Sequence, residues 1–208
     1  MAYSIVGIVN IALQRIGVKR IASLTEDSVQ AIDANAAWEY IRDEVLEAHD
    51  WNFAKLRYKL AQSTLKPEYG YDYAYGLPAD FLRLAKTKKD DPCVYVETAE
   101  VEYPHVLETL SDGNVYLLTD FDNASYDIFI KYIKRVTDPS KYTGHFISSL
   151  AWRLAAQLSI VRTETASKFD WCMRMYDISL LYAKGLNESM DYLADETGNE
   201  DWLNAGRL

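Results

Sequence analysis

The sequence predicts an α+β fold: a four-helix body with two N-terminal and two long C-terminal helices, an inserted antiparallel β meander and an extended C-terminal tail. Apolar residues recur at spacings of three and four near both ends of the chain, but they alternate with polar residues in its middle part. With 49% hydrophobic and 25% charged residues, the 208-residue chain has a globular composition. We therefore predict a helical body formed by 1–53 and 137–196, a β insertion at 54–136 and an extended tail at 197–208.

Two helices are predicted before the insertion. The first runs from Ser4 to Ile16, with Gly17 as its terminator. The second begins after Asp27, which we expect to cap it, and Gln30 stands where a capping box requires it. Its predicted buried stripe consists of Val29, Ile32, Ala36, Tyr40, Ile41, Val45 and Ala48. We expect the other helices to pack around this one.

The β insertion begins where the apolar period changes to two. A half-buried strand is predicted from Lys55 to Leu60, with Lys55, Arg57 and Lys59 on its outer face. Asp-Pro, Ser-Asp-Gly-Asn and Asp-Asn turn signals separate further strands, which are predicted at 82–86, 93–98, 115–119 and 126–136. Residues 127–133 are apolar on both faces for part of their length, so we place them centrally in the sheet.

The helical period returns after Thr143. One helix buries a stripe formed by Phe146, Ile147, Leu150, Leu154, Leu158 and Val161. A last helix from about Thr165 to Ala194 carries Phe169, Met173, Tyr176, Leu180, Ala183, Met190 and Leu193 on one stripe. At 1.5 Å per residue it would be about 45 Å long, so we expect its end to project from a domain of this size.

No group of residues indicates catalysis, a cofactor or a metal. Cys93 and Cys172 lie far apart in apolar surroundings, which predicts two reduced core residues. His49, His105 and His145 are widely spread without metal-ligand spacing. The apolar N-terminus has neither a basic region nor a cleavage site, so we expect intracellular synthesis and no membrane segment. The formal net charge of −9 disfavours general nucleic-acid binding.

Two segments are candidates for an interface with another protein. Tyr69, Tyr71, Tyr73 and Tyr75 recur at every second position, and in an extended segment they would all point the same way. Three alternatives remain open for them: packing in the chain's own core, an interface with another protein, or a stacking platform for bases or sugars. Trp202, Leu203 and Leu208 lie in a polar tail, where an isolated tryptophan is typical of an anchor for a neighbouring protein.

Four blocks of the sequence, in this order, resemble a known family. They are IVNIALQRIGVKRIASLTEDS, RDEVLEAHDWNFA, YAYGLPADFLRL and HFISSLAWRLAAQL. Together they are similar to the tail tubular protein A family, the head-to-tail adaptors of short-tailed bacteriophages. The resemblance covers most of the chain from about Ile5 to Tyr182. It does not extend to the β segment between Lys86 and Val136 or to the tail beyond Ala194.

The resemblance implies a structural virion protein of the neck or tail, made in the host cytoplasm and without enzymatic activity. It implies a ring, a dodecamer in this family, that binds the portal protein of the capsid and the tail nozzle protein. Double-stranded DNA would pass through the ring without specific binding. The alternative is a DNA-binding or packaging accessory protein that uses the Lys55, Arg57 and Lys59 face.

Overall fold

A computed structural model describes residues 3–86, 93–96, 104–162 and 166–191. Within these residues the fold is α+β, with four α-helices and antiparallel sheets. The helices are α1 (Ile5–Arg15), α2 (Val29–Glu47), α3 (Gly144–Arg162) and α4 (Ala166–Asp191). The strands are β1 (Lys55–Lys59), β2 (Ala61–Gln62), β3 (Tyr73–Gly76), β4 (Phe81–Leu84), β5 (Val94–Val96), β6 (Val106–Thr109), β7 (Val115–Thr119) and β8 (Ile128–Lys134).

The chain divides into two compact units. The sheet unit consists of Met1–Ile5 and Asn35–Tyr142, and the helical unit consists of Val6–Ala34 and Thr143–Leu208. The division falls within α2, whose first six residues belong to the helical unit and whose remainder belongs to the sheet unit. This division differs from the prediction that residues 1–53 as a whole belong to the helical body.

Strand β8 is the centre of the first sheet. Along one edge it pairs with β1, from Lys55 opposite Ile133 to Lys59 opposite Phe129. Its other edge pairs with β4 through Tyr132, Ile133 and Lys134, and with β5 through Ile128, Phe129 and Ile130. The predicted central position of this segment is confirmed, and five of its seven residues are buried.

The second sheet has the order β2-β3-β7-β6. Strand β7 has the predicted bounds, and the predicted Ser-Asp-Gly-Asn turn joins it to β6, with Gly113 at φ +82°. Strands β2 and β6 were not predicted. The meander prediction is wrong, because β1 pairs with β8 and β3 pairs with β7 instead of with the next strand along the chain.

The core of the sheet unit is built from both sheets. Its buried members are Leu60, Tyr75, Cys93, Val94, Val96, Leu117, Ile128, Ile130 and Tyr132. Leu60 lies between β1 and β2, so one continuous stretch of chain contributes to both sheets. The prediction of a half-buried β1 is wrong: as an edge strand it leaves Leu56 and Tyr58 39% and 46% exposed.

Helix α1 ends as its sequence predicts. Gly17 adopts φ +74°, and its N–H donates to the carbonyl oxygen of Gln14 at 3.1 Å. The N–H of Val18 donates to the carbonyl oxygen of Leu13 at 2.9 Å. These two bonds form the Schellman motif, which satisfies carbonyl groups that the end of the helix would leave without a partner.

Helix α2 differs from its prediction in both cap and buried face. The capping residue is Ser28, whose hydroxyl accepts the N–H of Ala31 at 3.2 Å, and not Asp27. Of the predicted stripe, Ile41 and Val45 are buried, whereas Val29, Ile32, Ala36 and Tyr40 are exposed. The buried face consists mainly of Ala31, Ala34, Ala37, Trp38, Ile41, Val45 and Leu46.

Helices α3 and α4 pack against each other in the helical unit. The predicted α3 stripe from Phe146 to Leu158 is buried, and the side chain of Val161 lies outside the described residues. In α4, Tyr176 and Ala183 are buried and Phe169, Met173 and Leu180 are half-buried, as predicted. Met190 is 63% exposed, so its placement on the buried stripe was wrong. Leu193 and residues 192–208, including the predicted tail, lie outside the described residues.

Candidate functional site: an apolar strip on helix α4

Helix α4 carries a second apolar face in addition to the one that packs on α3. Ile178, Leu181 and Tyr182 are 62%, 74% and 64% exposed, and they recur at spacings of three and four, which places them on one side of the helix. We call Ile178, Leu181, Tyr182, Gly185 and Leu186 the α4 strip. They line a surface groove of about 450 Å³.

Gly185 is one of the residues that line this groove. It lies in the interior of a 26-residue helix, where glycine costs about 1 kcal/mol relative to alanine. A Cβ atom at this position would meet nothing within 4 Å. Packing among the described residues therefore does not require glycine here. The missing side chain leaves space in the groove that Leu181, Tyr182 and Leu186 also line.

The buried residues of α4 lie on the other side of the helix from the strip, and α3 packs against α4. Those buried residues include Cys172, Tyr176 and Ala183. Ser149 and Ser179 hydroxyls lie 3.1 Å apart, and the rings of Trp152 and Trp171 meet edge to face at 5.0 Å. The ring of His145 meets Tyr182, a strip residue, edge to face at 5.6 Å. This last contact positions the Tyr182 ring while leaving most of it exposed.

Charged residues of both signs surround the strip. On helical spacing, Arg174 lies one turn before Ile178 on the same face, and Glu188 lies one turn after Gly185. Asp177 and Lys184 lie further round the helix, one of each sign. Charged residues of both signs therefore lie near each end of the strip.

The structure separates the four tyrosines that the sequence placed on one face. Gly70, at φ +89°, interrupts the extended backbone between Tyr69 and Tyr71, and only Tyr73 and Tyr75 belong to a strand. Tyr75 is fully buried, Tyr73 packs against the same core, and Tyr69 is 89% exposed. The expectation that all four point the same way is therefore wrong.

Tyr75 is fixed in the core by its hydroxyl as well as by its ring. The hydroxyl donates to the carbonyl oxygen of Phe121 at 2.7 Å. Burial, followed by the nearby charge of Asp122, raises the pKa of Tyr75 to about 12. The group thus remains a protonated donor at neutral pH. Of the three alternatives for the tyrosines, Tyr75 therefore fits packing in the chain's own core, and it does not lie on an exposed surface.

The remaining predicted site residues fall into two groups. Trp202, Leu203 and Leu208 lie outside the described residues. On the basic face of β1, Lys59 forms an ion pair with Asp127 at 2.6 Å, so a carboxylate accompanies part of that positive charge. Because DNA binding depends on Lys and Arg side chains that can contact phosphate groups, this ion pair reduces the positive charge that the face has available for DNA.

Both cysteines and one histidine, His49, are buried. Cys93 and Cys172 are both buried free thiols, as predicted, and burial raises the pKa of Cys172. His49 is buried with its ring 5.0 Å from that of Trp51. Within the described parts of the chain, no three His, Cys, Asp or Glu residues come together in a way that could hold a metal ion. No helix among the described residues combines the length and apolar character needed to cross a bilayer.

The four sequence blocks come together in pairs, one pair in each unit. In the helical unit, Arg15 of the first block donates to the carbonyl oxygen of Ser148 in the fourth at 2.9 Å and lies 4.0 Å over the Trp152 ring. In the sheet unit, Asp50 of the second block forms an ion pair with Arg83 of the third at 2.7 Å. The residues that carry the family resemblance therefore include contacts that hold each unit together.

Comparison with protein-family models gives no match, and a search of curated proteins gives none either. The α4 strip was not predicted from the sequence, although a pattern that indicates it is present. Ile178, Leu181, Tyr182 and Gly185 follow helical spacing, and none of these four residues is charged.

Proposed function

We propose that this chain is a head-to-tail adaptor subunit of a tailed bacteriophage, a structural virion protein without catalytic activity. Several copies form a ring that joins the capsid portal to the tail and extends the DNA channel. The proposal rests first on the four ordered sequence blocks that resemble the tail tubular protein A family. Within this chain, the first block contacts the fourth and the second contacts the third.

The exposed α4 strip is the observation that supports self-association of the chain in this proposal. A contiguous apolar face of this kind is typical of a protein contact surface, whereas isolated exposed apolar residues are common on any protein. Among the described residues, six exposed large apolar side chains lie on α3 and α4: Ile160, Trp171, Ile178, Leu181, Tyr182 and Met190. A ring subunit needs such surfaces on each copy, because every copy contacts two neighbours.

The finer arrangement belongs to the same proposal. The two N-terminal and two C-terminal helices form the body of the subunit in the ring, and the tail 197–208 extends to a neighbouring subunit or to the portal. The opposite side of the ring binds the tail nozzle. A chain of net charge −9 is compatible with a channel along which DNA slides without binding, since like charges repel.

The deciding experiment is cryo-electron microscopy of the intact particle that encodes this chain. We expect density for the chain to form a ring between portal and tail, with a dodecameric copy number. A particle whose neck lacks the chain would refute the adaptor proposal. Salt-dependent binding of purified protein to duplex DNA, with a slope reflecting several phosphate contacts, would then favour the DNA-binding accessory protein.

A second experiment tests the tail. Trp202→Ala, or deletion of residues 197–208, is expected to weaken ring formation on purified portal while leaving the circular dichroism spectrum unchanged. Ring formation at wild-type efficiency with the tail deleted would remove the tail from the proposal.

A further inference from the structure

The turn between β6 and β7 contains Asp112–Gly113, and the sequence has no other Asp-Gly and no Asn-Gly dipeptide. An aspartate side chain reacts most readily with the next backbone nitrogen when that residue is glycine, because glycine has no side chain to hinder the approach. Both residues are exposed, so water reaches them. The dipeptide is therefore a candidate for spontaneous covalent change of the main chain.

The chemistry available to this dipeptide is succinimide formation followed by hydrolysis. The Gly113 nitrogen loses its proton and attacks Cγ of Asp112, the bond from Cγ to the hydroxyl oxygen breaks, and one water molecule leaves. Water then opens the five-membered ring at one of its two carbonyl carbons. Attack at Cγ restores aspartate, whereas attack at the main-chain carbonyl carbon leaves Gly113 joined to Cγ, which is isoaspartate. Water is the only co-reactant, and nothing is oxidised or reduced.

Three hydrogen bonds hold the Asp112 carboxylate in its ionised form. Its Oδ1 accepts the Asn114 N–H at 3.0 Å, and its Oδ2 accepts the Asn114 side-chain amide at 2.8 Å and the Tyr116 hydroxyl at 2.7 Å. These donors, with the Asn114 side chain first, lower the pKa of Asp112. Ring closure requires the neutral carboxyl group, because its hydroxyl leaves as water. The three donors therefore reduce the fraction of Asp112 that can react.

The attacking nitrogen is restrained as well. The Gly113 N–H donates to the carbonyl oxygen of Leu110 at 2.9 Å, and the Leu110 N–H donates to the carbonyl oxygen of Asn114 at 3.0 Å. The nitrogen must lose the proton of the first of these bonds before it can attack Cγ. Ring closure therefore requires the turn to open, and the fold restrains both reacting groups.

We propose that Asp112–Gly113 is a latent isoaspartate site, and that the hydrogen bonds from Asn114 and Tyr116 determine how slowly isoaspartate forms in the folded chain. The site is distinct from the α4 strip and lies in the sheet unit. The inference goes beyond the function proposed above and does not depend on it.

Isoaspartate at this position would weaken the second sheet. The modification adds one atom, the Cβ of residue 112, to the main chain of the turn that joins β6 to β7. In the unmodified hairpin, Thr109 lies opposite Val115 at the end of the ladder. A longer turn no longer matches this register, and β7 carries the buried residues Leu117 and Leu118. We therefore expect the modified chain to unfold at a lower urea concentration than the unmodified chain.

The test follows isoaspartate at residue 112 by mass spectrometry with electron-transfer fragmentation, which distinguishes isoaspartate from aspartate. The purified full-length chain is incubated at neutral pH, both folded and unfolded in guanidinium chloride. We expect the unfolded chain to form isoaspartate at least about tenfold faster, because all the restraining hydrogen bonds are lost together.

Single substitutions in the folded chain test the role of each donor. Tyr116→Phe and Asn114→Ala each remove one side-chain donor to Oδ2, and each should speed isoaspartate formation about three- to tenfold. Tyr69→Phe is the matched control, because Tyr69 is 89% exposed and lies outside the turn, and it should leave the rate unchanged. Circular dichroism of each variant shows that the fold is retained, so that a faster rate reports the lost donor.

Three results would each overturn the proposal. The first is an absence of isoaspartate at residue 112 in the unfolded chain, and the second is an equal rate in the folded and unfolded chains. The third is a rate that changes in neither Tyr116→Phe nor Asn114→Ala, or that rises as much in Tyr69→Phe as in these two variants.

Discussion

Tyr75 offers a direct test of how the tyrosine-rich segment is divided between core and surface. Its side chain is fully buried, and its hydroxyl donates to the Phe121 carbonyl oxygen at 2.7 Å. Tyr75→Phe removes only this donor and should lower the free energy of unfolding by about 1 to 2 kcal/mol. Tyr75→Ala also removes the ring from a core shared by both sheets. The lost burial and the cavity together should cost about 3 to 5 kcal/mol.

The assay is urea unfolding of the purified full-length chain, followed by circular dichroism. Tyr69→Ala is the matched control, because Tyr69 is 89% exposed, and it should change the free energy of unfolding by no more than about 0.5 kcal/mol. If Tyr69→Ala destabilised as much as Tyr75→Ala, or if Tyr75→Ala cost less than about 1 kcal/mol, the assignment of Tyr75 to the core would be refuted.

Three further substitutions test other contacts by the same unfolding assay. Gly17→Ala should cost about 1 to 2 kcal/mol because alanine is strained at φ +74°; an unchanged midpoint would contradict the helix end described. Arg15→Met removes the hydrogen bond to Ser148 and the contact with Trp152, and should cost about 1 to 3 kcal/mol, with Arg20→Met, an exposed arginine, as control. Asp50→Asn should cost about 1 to 2 kcal/mol at neutral pH, and this difference should shrink in acid.

The pH dependence of the Asp50 contribution follows from its surroundings. Burial alone would raise the pKa of the carboxyl, but the Lys86 N–H at 2.8 Å and the Arg83 guanidinium outweigh it, so the pKa is lowered. A lowered pKa in the folded state gives stability that is present above the unfolded value of about 3.9. That stability is lost as pH falls through the folded value. A difference between wild type and Asp50→Asn that persisted unchanged at low pH would contradict this account.

Turn and cap residues in the sequence correctly predicted the elements whose ends depend only on neighbouring residues. Gly17 and Gly113 were identified because their positions require positive φ, and β7 was identified because its residues are bounded by turn signals. The buried face of α2 was misassigned because alanines form much of it. Its larger residues Val29, Ile32 and Tyr40, which dominate any hydrophobic pattern, lie on the exposed side.

Long-range pairing was beyond the reach of such signals. A period of two indicates a strand but does not name its partner, so the pairing of β1 with β8 could not be distinguished from a meander. The α4 strip escaped notice for a related reason. A helix with two apolar faces yields one predicted stripe, and only the packing on α3 determines which face remains for another molecule.

The central position of β8 also constrains how the protein can be made. Lys55 pairs with Ile133, so β1, β4 and β5 leave the ribosome before the strand that joins them exists. Until then their edges are unpaired, and unpaired edges readily join other chains. Pairing across such a separation in sequence is also slow. Synthesis of the last strand is therefore the step at which a nascent chain either closes its sheet or is lost to aggregation, and slower translation at lower temperature should raise the soluble yield.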